Sequence, residues 1–201
     1  KGEQDIVTST DLFIEREIIK LIKDHFPNDR IHSEEFHNQS LLADRTWIID
    51  PIDGTSNYAS NLGMYVVQIA LYDKNNIVLS YIYAPLFDKT FYAMKNEGAY
   101  LNDQPYHLKD KAGPSNFLIS MVGISHDAKD KTYFKRILDL TMTNKYKMRM
   151  LGSIGLELAL ASEGIFNMLY TNVTNLWDLC PGILLLEEAG ATLLNEKGTP
   201  Y

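Results

Sequence analysis

Apolar residues recur along this chain at two periods, and the change between them organises it. Over residues 8–25 the spacing is helical: Ile14, Ile18, Leu21 and Ile22 form a stripe that predicts an amphipathic helix on a core. Thr8 and Asp11 have capping-box spacing, with Asp where Glu or Gln is usual, and Pro27 ends the helix. Further on, Trp47, Ile48 and Ile49 read as a buried strand over 46–50. Pro51 has no N–H for a ladder and is expected to stop that strand at Asp50. Residues 66–72 and 77–84 are apolar runs joined by Asp73-Lys74-Asn75-Asn76, which predicts a hairpin. Residues 91–95 and 99–101 extend the antiparallel sheet around Glu97-Gly98.

After Gly113-Pro114 the pattern alternates: strand 117–121, helix 131–142, strand 146–150, helix 153–162, strand 165–170, helix 178–189, strand 191–194. The first half therefore reads as α+β and the second as α/β. The switch near residue 110 divides the chain into subdomains 1–110 and 111–201, expected to form one compact unit. At 201 residues the chain is long enough for a substantial core.

Composition narrows the classes of function. Hydrophobic residues make up 45% and charged residues 22%, as in ordinary globular proteins. A net charge of −7 without a Lys/Arg-rich tract argues against a nucleic-acid partner. No apolar stretch approaches the ~20 residues that span a membrane. The single cysteine, Cys180, excludes an intramolecular disulfide and points to a reducing, cytoplasmic setting. The chain opens at Lys1 without an initiator Met and stops at Tyr201 without a closing element. Both natural termini are therefore expected to lie outside it.

The chemistry concentrates in W-I-I-D-P-I-D-G-T-S-N, residues 47–57. A strand runs into a turn that presents Asp50 and Asp53, and Gly54 lets the backbone approach a ligand or take a positive φ. Thr55, Ser56 and Asn57 are good N-cap types, so a helical turn is expected to start here, with amides suited to an anion. An EF-hand loop fails because its third position is Ile52 and the glycine comes fifth. A phosphotransferase loop with a second Asp two residues after a nucleophilic one fails too, since Asp50 and Asp53 are three apart. A plain Asp-rich turn remains the bland alternative for this segment taken alone.

Other residues carry less. Cys180 is followed by Pro181-Gly182-Ile183-Leu184-Leu185-Leu186, without the arginine of a cysteine phosphatase, and reads as a buried helix residue. The five histidines are scattered without ligand spacing. Glu35 reads equally as a partner of Glu34 or as solvated, and Glu187 and Glu188 as packing or solvated positions. Gly152-Ser153 either meets the substrate or simply caps the helix that follows.

Glu34 lies sixteen residues before Asp50, Asp178 stands in N-L-W-D before E-E-A-G, and Asp5 and Asp11 bracket D-I-V-T-S-T-D. D-I-V-T-S-T-D, E-E, W-I-I-D-P-I-D-G-T-S-N and W-D…E-E-A-G, in this order, resemble the inositol monophosphatase family over nearly the whole chain. The resemblance implies a layered α/β/α/β/α sandwich with mixed and antiparallel sheets. It also implies hydrolysis of small-molecule phosphate monoesters with two or three Mg²⁺ ions, for which Mn²⁺ is a substitute, together with lithium sensitivity and a homodimer. Carried over by position, Glu34, Asp50, Asp53, Asp178 and the Ile52 carbonyl match metal ligands. Asp11 and Thr55, with Glu34, match catalytic positions around the attacking water. Gly54, Thr55 and Ser56 match phosphate-holding positions, and Lys1 matches a lysine near the phosphate.

Oxygen donors independently suit Mg²⁺ or Mn²⁺, whereas zinc favours His and Cys. Two departures stand out. Thr171 replaces a Glu seven residues before Asp178 that contacts an inositol hydroxyl in the family, which leaves the substrate open. Inositol-1-phosphate, fructose-1,6-bisphosphate and the 2′-phosphate of NADP are all chemically reasonable. Pro181 replaces a small residue and is expected in the first turn of its helix. The alternative to an enzyme is a catalytically silent metal- or phosphate-binding regulator on the same fold.

Overall fold

The computed structural model describes residues 7–37, 44–108, 117–123, 128–195 and 197–200. Helix α1 (Ser9–His25) begins at the anticipated capping box: Thr8 caps it, and the Asp11 side chain accepts the Thr8 amide. Its buried face differs from the predicted stripe. Asp11, Glu15 and Ile22 are its buried residues, whereas Leu21 is 62% exposed. Two carboxylates occupy positions that an apolar pattern cannot reveal.

The first sheet follows from the chain's period-two runs. Strands β1 (Arg30–Ser33), β2 (Arg45–Asp53), β3 (Val66–Asp73), β4 (Asn76–Ala84), β5 (Lys89–Met94), β6 (Gly98–Leu101) and β7 (Gln104–Tyr106) lie side by side in sequence order. Only β1 is parallel to its neighbour. The predicted β3–β4 hairpin closes on the Asp73–Asn76 pair, with Lys74 and Asn75 at φ 46° and 68°, as a type I′ turn requires. Glu188 adds a tie at the β5–β6 turn, where its carboxylate accepts the amides of Asn96 and Gly98.

Pro51 does not stop β2. The strand continues to Asp53, and its register against β3 shifts between Asp50 and Asp53. At such an irregularity the missing proline N–H breaks no ladder bond. Helix α2 (Thr55–Ala59) follows at once, capped by Gly54 at φ 93°; Asn57 falls inside it and donates instead to the carbonyls of Met64 and Leu151. A side chain at residue 54 would strain that backbone, and its Cβ would lie 2.9 Å from Ser153 Cβ.

The second half supplies β8 (Leu118–Val122), α3 (Ala128–Asn144), β9 (Lys147–Arg149), α4 (Ile154–Ser162), β10 (Met168–Thr171) and α5 (Leu176–Ala189). β10, β8 and β9 form a parallel sheet in that order. The expected strand over 191–194 is absent; only an isolated bridge joins Leu194 to Pro200, since Leu194 is 55% exposed and has little to bury. β7 escaped the sequence reading because it is short and carries Pro105. Helix α5 starts two residues before Asp178, so Pro181 lies in its interior and not its first turn. There it cannot donate to the residue 177 carbonyl, while its own carbonyl accepts the Ser80 hydroxyl.

The clusters of buried side chains order the layers. Ile18, Ile19 and Ile22 of α1 pack with Ile31, Trp47, Ile49 and Ile69 on one face of the first sheet. On the other face Val66, Ile82 and Phe91 meet Leu156 and Leu158 of α4 and Leu184 and Leu185 of α5. Val122 of the second sheet joins that cluster, and Ile119 and Met121 pack with Ile137 of α3 beyond. The stack is helix, sheet, helices, sheet, helix. Residues from both halves share the central cluster, and the boundary expected near residue 110 falls outside the described residues.

Candidate active site

The site forms where β2 leaves its sheet. Asp50 pairs across the ladder with Gln68, whose amide donates to Asp50 Oδ2 at 3.1 Å. Both are buried, and Asp50 Oδ1 has no hydrogen-bond partner. Asp53, past the register shift, and half-buried Asp178, in the first turn of α5, approach it: one carboxylate oxygen from each of the three lies within 4.8 Å of the others. Two unit charges at that distance repel by roughly 3 kcal/mol at an effective dielectric of about 20. Burial, then the charges of Asp53, Glu34 and Asp178, hold the Asp50 carboxyl well above its usual range. Glu34 lies outside the tight trio but near enough to act on Asp50.

Asp53 has a second task. Its carboxylate accepts the Ser153 hydroxyl and the amides of Ile154 and Gly155 at 3.2 and 2.7 Å, at the start of α4. An anion is favourable at a helix start, but burial and then Asp178 outweigh these bonds and push its pKa up to about 7. Gly155 is required here by contact, since a Cβ would lie 2.4 Å from Gln68 Oε1.

On the other side of the turn, Thr55 Oγ1 lies 3.0 Å from the Ile52 carbonyl and 3.4 Å from Asp11 Oδ1. Asp11 is fully buried, and its other oxygen takes the amide and hydroxyl of Thr8. The capping box thus fixes the carboxylate that Thr55 faces. Tyr58 of α2 donates to Thr10, which ties α2 to α1.

The remaining candidates sit as follows. Gly54 and Thr55 are half-buried and Ser56 is exposed at the start of α2. Ser153 is 1% exposed and gives its hydroxyl to Asp53, so it braces a carboxylate besides capping α4. Thr171 ends β10, where its hydroxyl accepts the Val173 amide. Lys1 and Asp5 lie outside the described residues. Cys180 is buried, which pushes its thiol up to about 11, as an inert core residue.

Among the buried polar residues that escaped the sequence reading are Gln68, Glu157 and Glu15. Gln68 sits in an apolar strand. Glu157 lies in an apolar helix, where it accepts the Ser120 hydroxyl and the amides of Leu151 and Gly152. Burial and then Asp53 push its carboxyl up to about 7. Glu15 stands one turn after Asp11 and accepts from Ser33, Glu35 and Phe36. The available signal was a polar or ionisable residue inside an otherwise apolar pattern.

The acidic cluster can hold metal ions: its donors are all oxygen, it concentrates negative charge, and a buried lone carboxylate oxygen awaits a partner. Fold and site therefore define a class, a five-layered α/β protein with an acidic centre where β2 of the first sheet meets the starts of α4 and α5. Comparison with known proteins carries this further. The inositol monophosphatase family model matches residues 1–201. An inositol monophosphatase of Dictyostelium discoideum is 33% identical over 98% of this chain and 75% of its own. A fructose-1,6-bisphosphatase/inositol-1-monophosphatase of Aquifex aeolicus is 29% identical over 98% of this chain and 75% of its own. The solved structure of a Thermotoga maritima IMPase superposes with a TM-score of 0.87 at 29% identity, over 100% of this chain and 76% of that one. The chain belongs to the inositol monophosphatase family and is a phosphomonoesterase hydrolase.

Proposed function

We propose that this protein hydrolyses a small sugar or polyol phosphate monoester, with Mg²⁺ as cofactor and water as nucleophile. One observation carries the reading: one carboxylate oxygen each of Asp50, Asp53 and Asp178 lies within 4.8 Å of the others, and the buried Asp50 has an oxygen without a hydrogen-bond partner. These three, with Glu34 and the Ile52 carbonyl, are the groups to hold two or three ions. Bound there, the ions would supply positive charge to the phosphoryl oxygens and make water acidic enough to ionise near neutral pH. The chain's own residues do the rest. Asp11, held by Thr8, draws the Thr55 hydroxyl proton and leaves the Thr55 lone pairs to orient a water. It is also the group placed to take up that water's proton by way of Thr55. Gly54, Thr55 and Ser56 offer the amides of a helix start, which have no intrahelical acceptor, to the phosphate.

The substrate lies within the class named in the relatives: one is an inositol monophosphatase, and the Aquifex protein carries a fructose-1,6-bisphosphatase name besides. Thr171 offers no charge to a polyol hydroxyl, which supports a substrate other than inositol-1-phosphate. The lone cysteine supports a cytoplasmic setting, and the family resemblance supports a lithium-sensitive homodimer.

The test is phosphate release by purified protein in millimolar Mg²⁺ from inositol-1-phosphate, fructose-1,6-bisphosphate and NADP. Turnover of at least one is expected, and none by Asp50→Asn. Mn²⁺ binding without release from any of them would overturn the reading in favour of a silent regulator.

A further inference from the structure

The buried face of α1 is unusual in its first two turns: its two buried residues there, Asp11 and Glu15, are both carboxylates with 0% exposure. Four residues apart, they stand on one helix face, about 6 Å along the axis. Asp11 reaches Thr55. Glu15 reaches the segment that leaves β1, where Oε1 accepts the Ser33 hydroxyl at 2.5 Å and the Phe36 amide at 2.8 Å. Its Oε2 accepts the Glu35 amide at 3.0 Å. These donors bracket Glu34 on both sides, and the Glu34 amide itself bonds the Ile49 carbonyl, one residue before Asp50. The next residue of the helix adds a contact, the Arg16 guanidinium standing 5.3 Å from the Phe36 ring centre.

A buried carboxylate is costly unless donors surround it, and three donors from one short turn are an expensive arrangement for a mere helix contact. The geometry points to Glu15 as a positioning residue for Glu34. Through it a single rigid helix sets the distance between the Asp11–Thr55 pair and the Glu34 carboxylate. The inference rests on the proposed role of Glu34 as a metal ligand. It also predicts that the neutral isostere in Glu15→Gln weakens this hold. Gln at position 15 keeps one acceptor oxygen for Ser33 and Phe36 but turns an NH₂ toward the Glu35 N–H, beside the residue to be held.

The experiment is Mg²⁺ and Mn²⁺ binding by titration calorimetry, paired with the Mg²⁺ dependence of phosphate release, for the wild type, Glu15→Gln, Ser33→Ala and Glu34→Gln. Glu15→Gln is expected to weaken metal binding about tenfold and to raise the half-maximal Mg²⁺ equally, with kcat at saturating Mg²⁺ changed only a few-fold. Ser33→Ala removes one donor and is expected to shift both in the same direction about threefold. It carries the test should Glu15→Gln not fold. If Glu34→Gln weakens binding while Glu15→Gln and Ser33→Ala lower only the melting temperature, Glu15 is structural and the inference is overturned alone. A wild type that binds neither ion overturns the metal reading and this inference together.

Discussion

Asp50 is where function and stability oppose each other at the scale of a single residue. Its carboxyl is buried among three other acidic groups, and Gln68 satisfies only one of its oxygens. On the proposed reading, a bound cation offsets that cost. Asp50→Asn removes one buried charge and its repulsions, so it is expected to abolish turnover while raising the melting temperature of the metal-free protein by roughly 5 °C. Calorimetry in chelator checks this, and a variant that melts below the wild type there would show that Asp50 is structurally compensated. The turn residues of this site were legible in the sequence because Asp-Pro-Ile-Asp-Gly-Thr packs donors, a proline and a glycine into one segment. Glu15 and Glu157 were not legible. A charged residue in a helical pattern reads as solvent-facing until its donors, among them Ser33 for Glu15 and Ser120 for Glu157, 18 and 37 residues away, are brought to it.

Among the elements, α4 shows how one carboxylate serves two structures. Asp53 belongs to the acidic cluster and also takes the first amides of α4, so the helix that fills the central layer is tied to the metal-type centre. Asp53→Asn turns an amide group toward either the Gly155 or the Ile154 N–H. Beyond loss of turnover, it is expected to cost about 2 kcal/mol in urea denaturation with chelator present, by leaving buried donors unpaired. No change in midpoint would mean that α4 needs no anchor. Element identity was mostly readable, since strands and helices follow period and turn residues. The boundaries shifted where tertiary contacts intervened: β2 runs through Pro51 because its pairing with β3 continues to Asp53 opposite Val66, and α5 encloses Pro181, which is buried.

For the molecule as a whole, the acidic centre is expected to make stability depend on pH and, on the proposed reading, on metal as well. Asp53 and Glu157 both rise to about 7, from ordinary values of 3.8 and 4.5. Folding thus favours their neutral forms, and that contribution is complete below about pH 4 and lost as pH rises through 7. In chelator, the unfolding free energy is expected to fall by a few kcal/mol between pH 5 and 8. Saturating Mg²⁺ is expected to reverse the slope, since ions bind the deprotonated carboxylates. At a hundred times its dissociation constant, a single ion adds about 2.7 kcal/mol at fixed pH. Denaturation curves at several pH values with and without Mg²⁺ measure both effects; parallel curves would contradict them.

The sequence by itself determined most of the elements and which reaction class the chain can serve. Periodicity, capping residues and turn chemistry are local, and the cluster of small and acidic residues after Trp47 is chemically unusual at any address. Tertiary structure alone decided the rest. Five layers bring Asp178, more than a hundred residues distant, against Asp50 and Asp53. They bury Glu15 and Glu157 where their carboxylates hold backbone amides, and Gln68 where its amide holds Asp50. Burial turns an ordinary carboxylate into a strained or a structural one, and burial is a property of the packed molecule that no single segment carries.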